Sequence, residues 1–229
     1  MLDLKGYGWM LWDGVQVNLV VGPLALLVAL GLGLLGAWGK LSHNKAALGV
    51  AEFYTVVVRG VPELVLILLV YYGTPTLIQE AFLSFGYEVI IDVNRFVTGV
   101  WTLGFIYGAF ATEVFRGAYL AVPRGEIEAA RAIGMNPLLA ARRVILPQMW
   151  RYALPGLGNL WLVLIKATAL MSIVQLPEVV RAAQIAANPT RMPFTFFFLV
   201  SLIFLAITIV SLAIIKRAEV WAERGVRRA

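Results

Sequence analysis

Cysteine is absent from the 229-residue chain, and histidine occurs once, at His43. The first absence excludes disulfides, thiolate metal centres and cysteine nucleophiles, while fixing no redox compartment. The second leaves no histidine cluster: His43 lies in the short turn LSHNK with no neighbouring carboxylate, so it is expected to be solvated and no metal site is expected. Charge is scarce too. Only 14% of residues are charged against 61% hydrophobic, and the mean hydropathy is +0.84. That is too little charge to coat a soluble surface and enough apolar length to cross a bilayer repeatedly. No Gly-x-x-x-x-Gly-Lys-Ser/Thr phosphate loop occurs, so the chain is not expected to bind ATP alone. No His/Asp/Glu cluster or serine-based constellation marks an intramembrane enzyme. Internal repeats, low-complexity segments and a soluble domain are lacking as well.

The charge that is present is biased, with 19 Lys and Arg against 13 Asp and Glu and a formal net charge of +6. These basic residues fall in short clusters between apolar runs rather than along one face, which points to a membrane surface and not to nucleic acid. Crossing about 30 Å of hydrocarbon takes roughly 20 apolar residues. Five runs meet that length: 15–38, a run starting near Val61, 96–122, 151–174 and 192–215. Arg59-Gly60 and Pro62 are expected to break the second run into an interfacial piece and a membrane piece. The expected fold is therefore all-α, a polytopic membrane domain of about five transmembrane helices over residues 1–229. With the N-terminus outside, Lys40, Lys45, the 124–151 region and the tail KRAEVWAERGVRRA fall inside; Lys5, Arg95, Arg181 and Arg191 fall outside. Retention of positive charge on the cytoplasmic side thus predicts N-out, C-in. Tyr7, Trp9, Trp12, Tyr71 and Tyr72 fit outer interfacial belts. The start MLDLKGYGWMLWDG has no basic opening and no small-residue cleavage site, so the first run is expected to be retained rather than removed as a signal peptide.

Between the third and fourth runs the chain reads EAARAIGMNPLLAARRVILP, 128–147. Glu126 and Glu128 lie in the first turns of one short helix, where negative charge suits the helix dipole. Gly134 ends it, Asn136 caps a second helix with Pro137 at its first position, and Pro147 is expected to stop that helix. A DNA-reading role for this helix-turn-helix is disfavoured because both ends are tethered to membrane spans. Arg131, Arg142 and Arg143 would also suit a plain connector held by lipid headgroups.

The stretch resembles the EAA loop of bacterial ABC-importer membrane subunits: Glu-Ala-Ala, three residues, Gly, nine residues, then Ile-x-Leu-Pro. Glu128, Ala129, Ala130, Gly134, Leu146 and Pro147 match in register, and Val144 stands in place of the isoleucine. Over nearly its whole length the chain is similar to the polar amino acid permease family, through RGVPELV (59–65), ATEVFRGAYLAVPRG (111–125) and IKATALMSIVQLPEV (165–179). Within it, the Q-type subunits of histidine, arginine and ornithine importers are the most similar. The resemblance implies a coupling loop, about 123–149, that docks in a groove of a cytosolic ATPase. It implies a second, distinct permease subunit, two ATPase subunits that carry ATP and Mg, and a periplasmic amino-acid-binding protein. The setting it implies is the bacterial inner membrane. The implied cargo is an amino acid, most of all a basic one: arginine, ornithine, lysine, histidine or an opine derivative.

Ionisable groups inside a span are costly, so they face a cavity or a partner. Glu113 and Arg116 can pair at i, i+3, or Glu113 can face a shared cavity and offer negative charge to a basic substrate. Lys166, followed by Thr168 and Ser172, can bind a substrate carboxylate or brace the helix against a partner. Gln175 and Glu178 can form an external gate or binding-protein contact, or simply end a solvated loop. Arg59-Gly60-Val61-Pro62 can be mechanistic or only a helix break. The alternative to an ATP-driven permease is a gradient-driven secondary transporter or channel for a polar solute, which usually carries inverted repeats.

Overall fold

The computed structural model describes residues 4–89 and 93–223; Arg224, Arg227 and Arg228 of the expected basic tail lie outside the described residues. Helices form all the regular structure among the described residues. Helix α1 (Gly8–Leu41) is 34 residues long and continuous through Pro23. At helical rise that is roughly 51 Å, so it overruns the hydrocarbon that its apolar core was expected to cross. Asn44 accepts a hydrogen bond from the Ala46 N–H at 2.9 Å and so starts α2 (Lys45–Gly60). The expected break is present: α2 stops at Gly60, and Pro62 precedes α3 (Glu63–Leu68), which turns through a π-helical turn, Leu69–Gly73, into α4 (Thr74–Ser84). Asn94 caps α5 (Arg95–Leu120) by accepting from Phe96 and Val97. Then come α6 (Arg124–Ala132), α7 (Pro137–Ala140), α8 (Leu146–Ala167), α9 (Val179–Thr190) and α10 (Pro193–Ala222).

Among the described residues, four helical stretches are long and apolar enough to cross a membrane: Gly8–Leu41, Glu63–Ser84, Pro137–Ser172 and Pro193–Ala222. The third expected run, 96–122, became α5, which is long enough at 26 residues but less apolar. Thirteen of those residues are buried, whereas α10 buries four of its 30, so α5 is the central helix of the bundle. A helix enclosed by protein has no need of an apolar face all round, which explains its threonines and Glu113. One expectation fails outright. Pro147 does not stop the second loop helix, because Pro137–Ser172 is a single rod that runs on into the fourth apolar run. A π-helical turn, Ala141–Ile145, directly precedes Pro147, and there the Leu146 N–H reaches back five residues to the Ala141 carbonyl. The ladder is already widened at the point where proline withholds its own hydrogen bond, so the ring is accommodated.

The bundle is held by close backbone approach between α1 and α5. A Cβ added at Gly33 would fall 2.5 Å from the Ala111 Cβ, and one at Gly104 would fall 2.5 Å from the Val28 Cβ. In a bilayer, where lipid tails are as apolar as leucine, such small-residue seams supply the van der Waals contact that hydrophobicity cannot. The seam also sets direction. Residues 28, 32 and 36 of α1 meet 104, 108 and 112 of α5, so these helices run parallel. Gly156 of α8 meets Val114 while Met171 meets Gly99, and Gly158 meets Ile215 while Trp161 bonds Ser211, so α8 opposes both α5 and α10. A second apolar cluster joins α9 to the start of α1 and of α10 through Leu11, Val15, Ala183, Ala186 and Phe196. Gly33→Val should therefore destabilise the protein by about 1–3 kcal/mol through overpacking. Gly31→Val, which meets nothing within 4 Å, serves as the neutral control, with unfolding midpoints in detergent as the measurement.

Candidate functional site

The loop that carries Glu-Ala-Ala is built from local rules. Helix α6 ends in a Schellman turn: Gly134 has φ +81°, its N–H donates to the Arg131 carbonyl at 3.0 Å, and the Met135 N–H donates to the Ala130 carbonyl at 3.0 Å. Asn136 then caps α7 by accepting from the Leu139 N–H at 2.8 Å, with Pro137 at the first helical position. Gln148 donates to Glu126, tying α6 to the start of α8. Glu128, Ala129, Gly134 and Pro147 are exposed and Ala130 is buried. Leu146 is exposed as well, and so are Ile133 at 74% and Leu138 at 80%, large apolar side chains on a polar loop.

Beside the loop, at the ends of α1 and α5, lies a group of charges. Glu113 accepts from Lys40 Nζ at 2.6 Å and from Arg116 Nε at 3.0 Å. Its side chain is 20% exposed and that of Lys40 9%, so the carboxylate is neutralised within the fold. Glu113 also lines a cleft of about 420 Å³ between α2, α3, α5 and α8, with Arg59, Glu63, Tyr107, Phe110 and Asn159. Here the Tyr107 hydroxyl donates to Glu63, 3.1 Å from each carboxylate oxygen, and the Arg59 guanidinium lies over the Phe110 ring at 5.4 Å. Neither Arg59 nor Glu63 has an ion-pair partner among the described residues, nor does the Asn159 amide have a hydrogen bond there. The cleft thus holds one uncompensated charge of each sign plus a free amide. An amide or charge on a spanning helix is tolerated where it faces a cavity or a partner, and these groups line the cleft.

At the far end of α8, three further polar residues form a buried knot. Asn18 of α1 donates to Thr168 Oγ1 at 2.7 Å and to Glu178 at 3.3 Å, and accepts from the Val179 N–H at 3.0 Å. Glu178 also accepts from the Val180 and Arg181 N–H groups at 2.9 and 2.8 Å, which caps α9. A carboxylate at a helix N-terminus is electrostatically favourable and satisfies otherwise unpaired donors.

The expected pathway and gate residues are therefore divided. Thr168, Ser172 and Glu178 are buried, the first and last in the knot; Lys166 and Gln175 are exposed, and Gln175 has φ +59°. Lys166 follows Asn159 by seven residues and Val163 by three, which puts it on the cleft-facing side of α8. Glu113 sits with Lys40 near the opposite end. Sequence reasoning missed Lys40, Glu63, Tyr107, Asn159 and Asn18. Glu63 and Asn18 were findable, one an acid at the start of an apolar run and the other, with Gln16, one of two amides in an uncharged one. Lys40 and Tyr107 carry no such signal, because only the packing of α1 on α5 and of α3 on α5 brings them to their partners.

Several apolar helices interrupted by an exposed helix-turn-helix, with a charged cleft between them, make a multi-pass membrane permease. The chain belongs to the binding-protein-dependent transport system inner membrane component family, whose model matches residues 29–227. It is 44% identical over 226 residues to the histidine/lysine/arginine/ornithine transport system permease protein HisQ of Salmonella typhimurium, covering 99% of each chain. The nopaline transport system permease protein NocQ of Agrobacterium fabrum is 46% identical, with 97% of this chain and 94% of that one covered. A crystal structure of an amino acid ABC transporter with histidines superposes with a TM-score of 0.82 at 30% identity, covering 95% and 96% of the two chains. These relatives are transport permeases, not enzymes. The charge group yields a stability test: Lys40→Met should cost about 3 kcal/mol by leaving Glu113 short of a partner in a nearly buried position. Adding Glu113→Gln should recover part of that loss, as read by unfolding midpoints in detergent.

Proposed function

We propose that this chain is one permease subunit of an ATP-driven importer for amino acids, basic ones above all. One observation carries the reading. The Glu-Ala-Ala segment is folded into a Schellman turn with Ile133, Leu138 and Leu146 exposed, and it is continuous with the rod that reaches the far end of the bundle. An ATPase that grips this turn moves α8 directly. Glu128, Ala129, Ala130, Gly134, Leu146 and Pro147 form the docking element within residues 123–149, and Gly134 admits close approach of the partner. ATP and Mg belong to two ATPase subunits, and a second, distinct permease completes the pathway. A periplasmic binding protein delivers the cargo at the outer face of a bacterial inner membrane. α1 and α5 run parallel and α8 opposes α5, which suits five crossings with one span between α1 and α5, and the arginines of the α6–α7 loop support placing the N-terminus outside.

Cargo chemistry follows from the cleft. Glu113 is neutralised by Lys40 and Arg116, so Glu63 offers the negative charge to a guanidinium or ammonium side chain. Arg59 and Lys166 are the cations available to an α-carboxylate. Thr168 and Ser172 shape the pathway from behind, and Gln175 contacts the binding protein while Glu178 holds α9 in place beneath it.

Co-reconstitution with the partner subunits tests the coupling: uptake of arginine should require ATP and the ATPase. Gly134→Asp should stay in the membrane yet abolish that uptake, whereas transport by the lone chain under an ion gradient would overturn the reading. Glu63→Gln tests the cargo. It should weaken apparent arginine affinity about tenfold, equivalent to ~1.4 kcal/mol, and should affect histidine at pH 8 much less, since imidazole is then neutral. Equal effects on both would remove Glu63 from the cargo contact.

A further inference from the structure

A groove of about 420 Å³ lies between α1, α8 and α10, away from the charged cleft. Pro23, Leu26 and Leu30 form one wall, Leu154 and Leu157 the second, and Ile214 and Ile215 the third. Its lining is apolar, and the Trp161 indole N–H that reaches it is already satisfied by Ser211 Oγ at 2.9 Å. From Trp150 to Trp161 the α8 wall is about 16 Å long, close to half of a hydrocarbon core of about 30 Å. The groove thus has the depth of one leaflet.

Its mouth has a different character. Trp150 lines both the groove and an adjoining pocket of about 420 Å³, which Pro147, Arg151, Trp221 and Ala222 complete. Arg151 has no ion-pair or hydrogen-bond partner among the described residues, and neither indole N–H, of Trp150 or of Trp221, is bonded there. Arg217 precedes Trp221 by one helical turn and so shares its face of α10. The arrangement is a leaflet-deep apolar slot opening on a guanidinium and two unsatisfied donors, at the level where tryptophan is favoured in membranes.

We infer that this groove and its mouth bind one anionic diacyl glycerophospholipid from the leaflet on the side of the α6–α7 turn. The acyl chain fills the slot, and the phosphate accepts hydrogen bonds from Arg151 and the two indoles. An apolar helix from another protein would fill the slot yet offer no acceptor to those three donors, and covering them would cost the hydrogen bonds they make to water when exposed. A small anion would satisfy the donors and leave the slot empty. Only the lipid meets both ends.

Native mass spectrometry of the full chain, extracted from membranes of mixed phosphatidylglycerol and phosphatidylethanolamine, tests this. One phosphatidylglycerol per chain should survive mild detergent. Its occupancy should fall roughly five- to tenfold in Arg151→Ala, by loss of a charge-assisted contact. Ala218→Phe, which fills the slot just inside its mouth, should displace the lipid as well. Trp221→Phe keeps the ring and loses the donor, and so gives an intermediate loss in a chain with its packing intact. No retained lipid in the wild type, or equal retention of both headgroups, would overturn the proposal. Displacement by millimolar inorganic phosphate would overturn it in favour of an anion site. Cross-linking of Ala218→Cys to a second permease would overturn it in favour of a protein occupant.

Discussion

The close approach of α1 and α5 is the contact on which the rest of the bundle depends. Gly33 and Gly104 let the two backbones meet where any side chain would collide. That contact sets the axial offset of the helices, and the offset carries Lys40 to Glu113. A charge pair of this kind cannot assemble itself inside a bilayer, because each member is costly until the other is in place. The packing of uncharged residues therefore decides where charge is tolerated. The separate packing of α3 on α5 places Tyr107 against Glu63 and leaves that carboxylate hydrogen-bonded but without a counter-ion among the described residues.

Neutralisation of Glu113 leaves Glu63 as the acid of the cleft without a counter-ion among the described residues. Both acids line the same cleft, and composition alone cannot tell them apart. What differs is geometry. Glu113 accepts from two cations within 3.0 Å, whereas Glu63 receives only a phenol. At the opposite end the knot of Asn18, Thr168 and Glu178 is wholly buried and fully used, so its polar groups shape the bundle rather than meet a solute.

Much of this fold could be read from the sequence, and the reasons are local. The Gly134 turn, the Asn136 cap and the break at Gly60 and Pro62 each follow from the conformational limits of one or two residues, and each is present. Pro147 shows where local reading stops. Proline ends a helix whose ladder is regular, but the π turn before it had already altered the ladder, and nothing in ARRVI announces that turn. α5 was legible as a long helix and not as the central one, since centrality depends on which neighbours surround it. Lys40 belongs to the same class of omission: its position at the end of a span reads as an interfacial anchor until its partner, 73 residues away, is seen.

The unbroken rod from Pro137 to Ser172 has a mechanical consequence. It is pinned by Thr168 in the buried knot at one end and exposed in the loop at the other. Measured from Thr168, the turn at Pro137 is about 46 Å away and Asn159 about 14 Å. A lever pivoting at Thr168 would therefore deliver at the cleft about a third of any sideways stroke applied at the loop, with roughly three times the force. Such gearing suits a site that must loosen its grip on a small solute without tearing open the bundle that surrounds it.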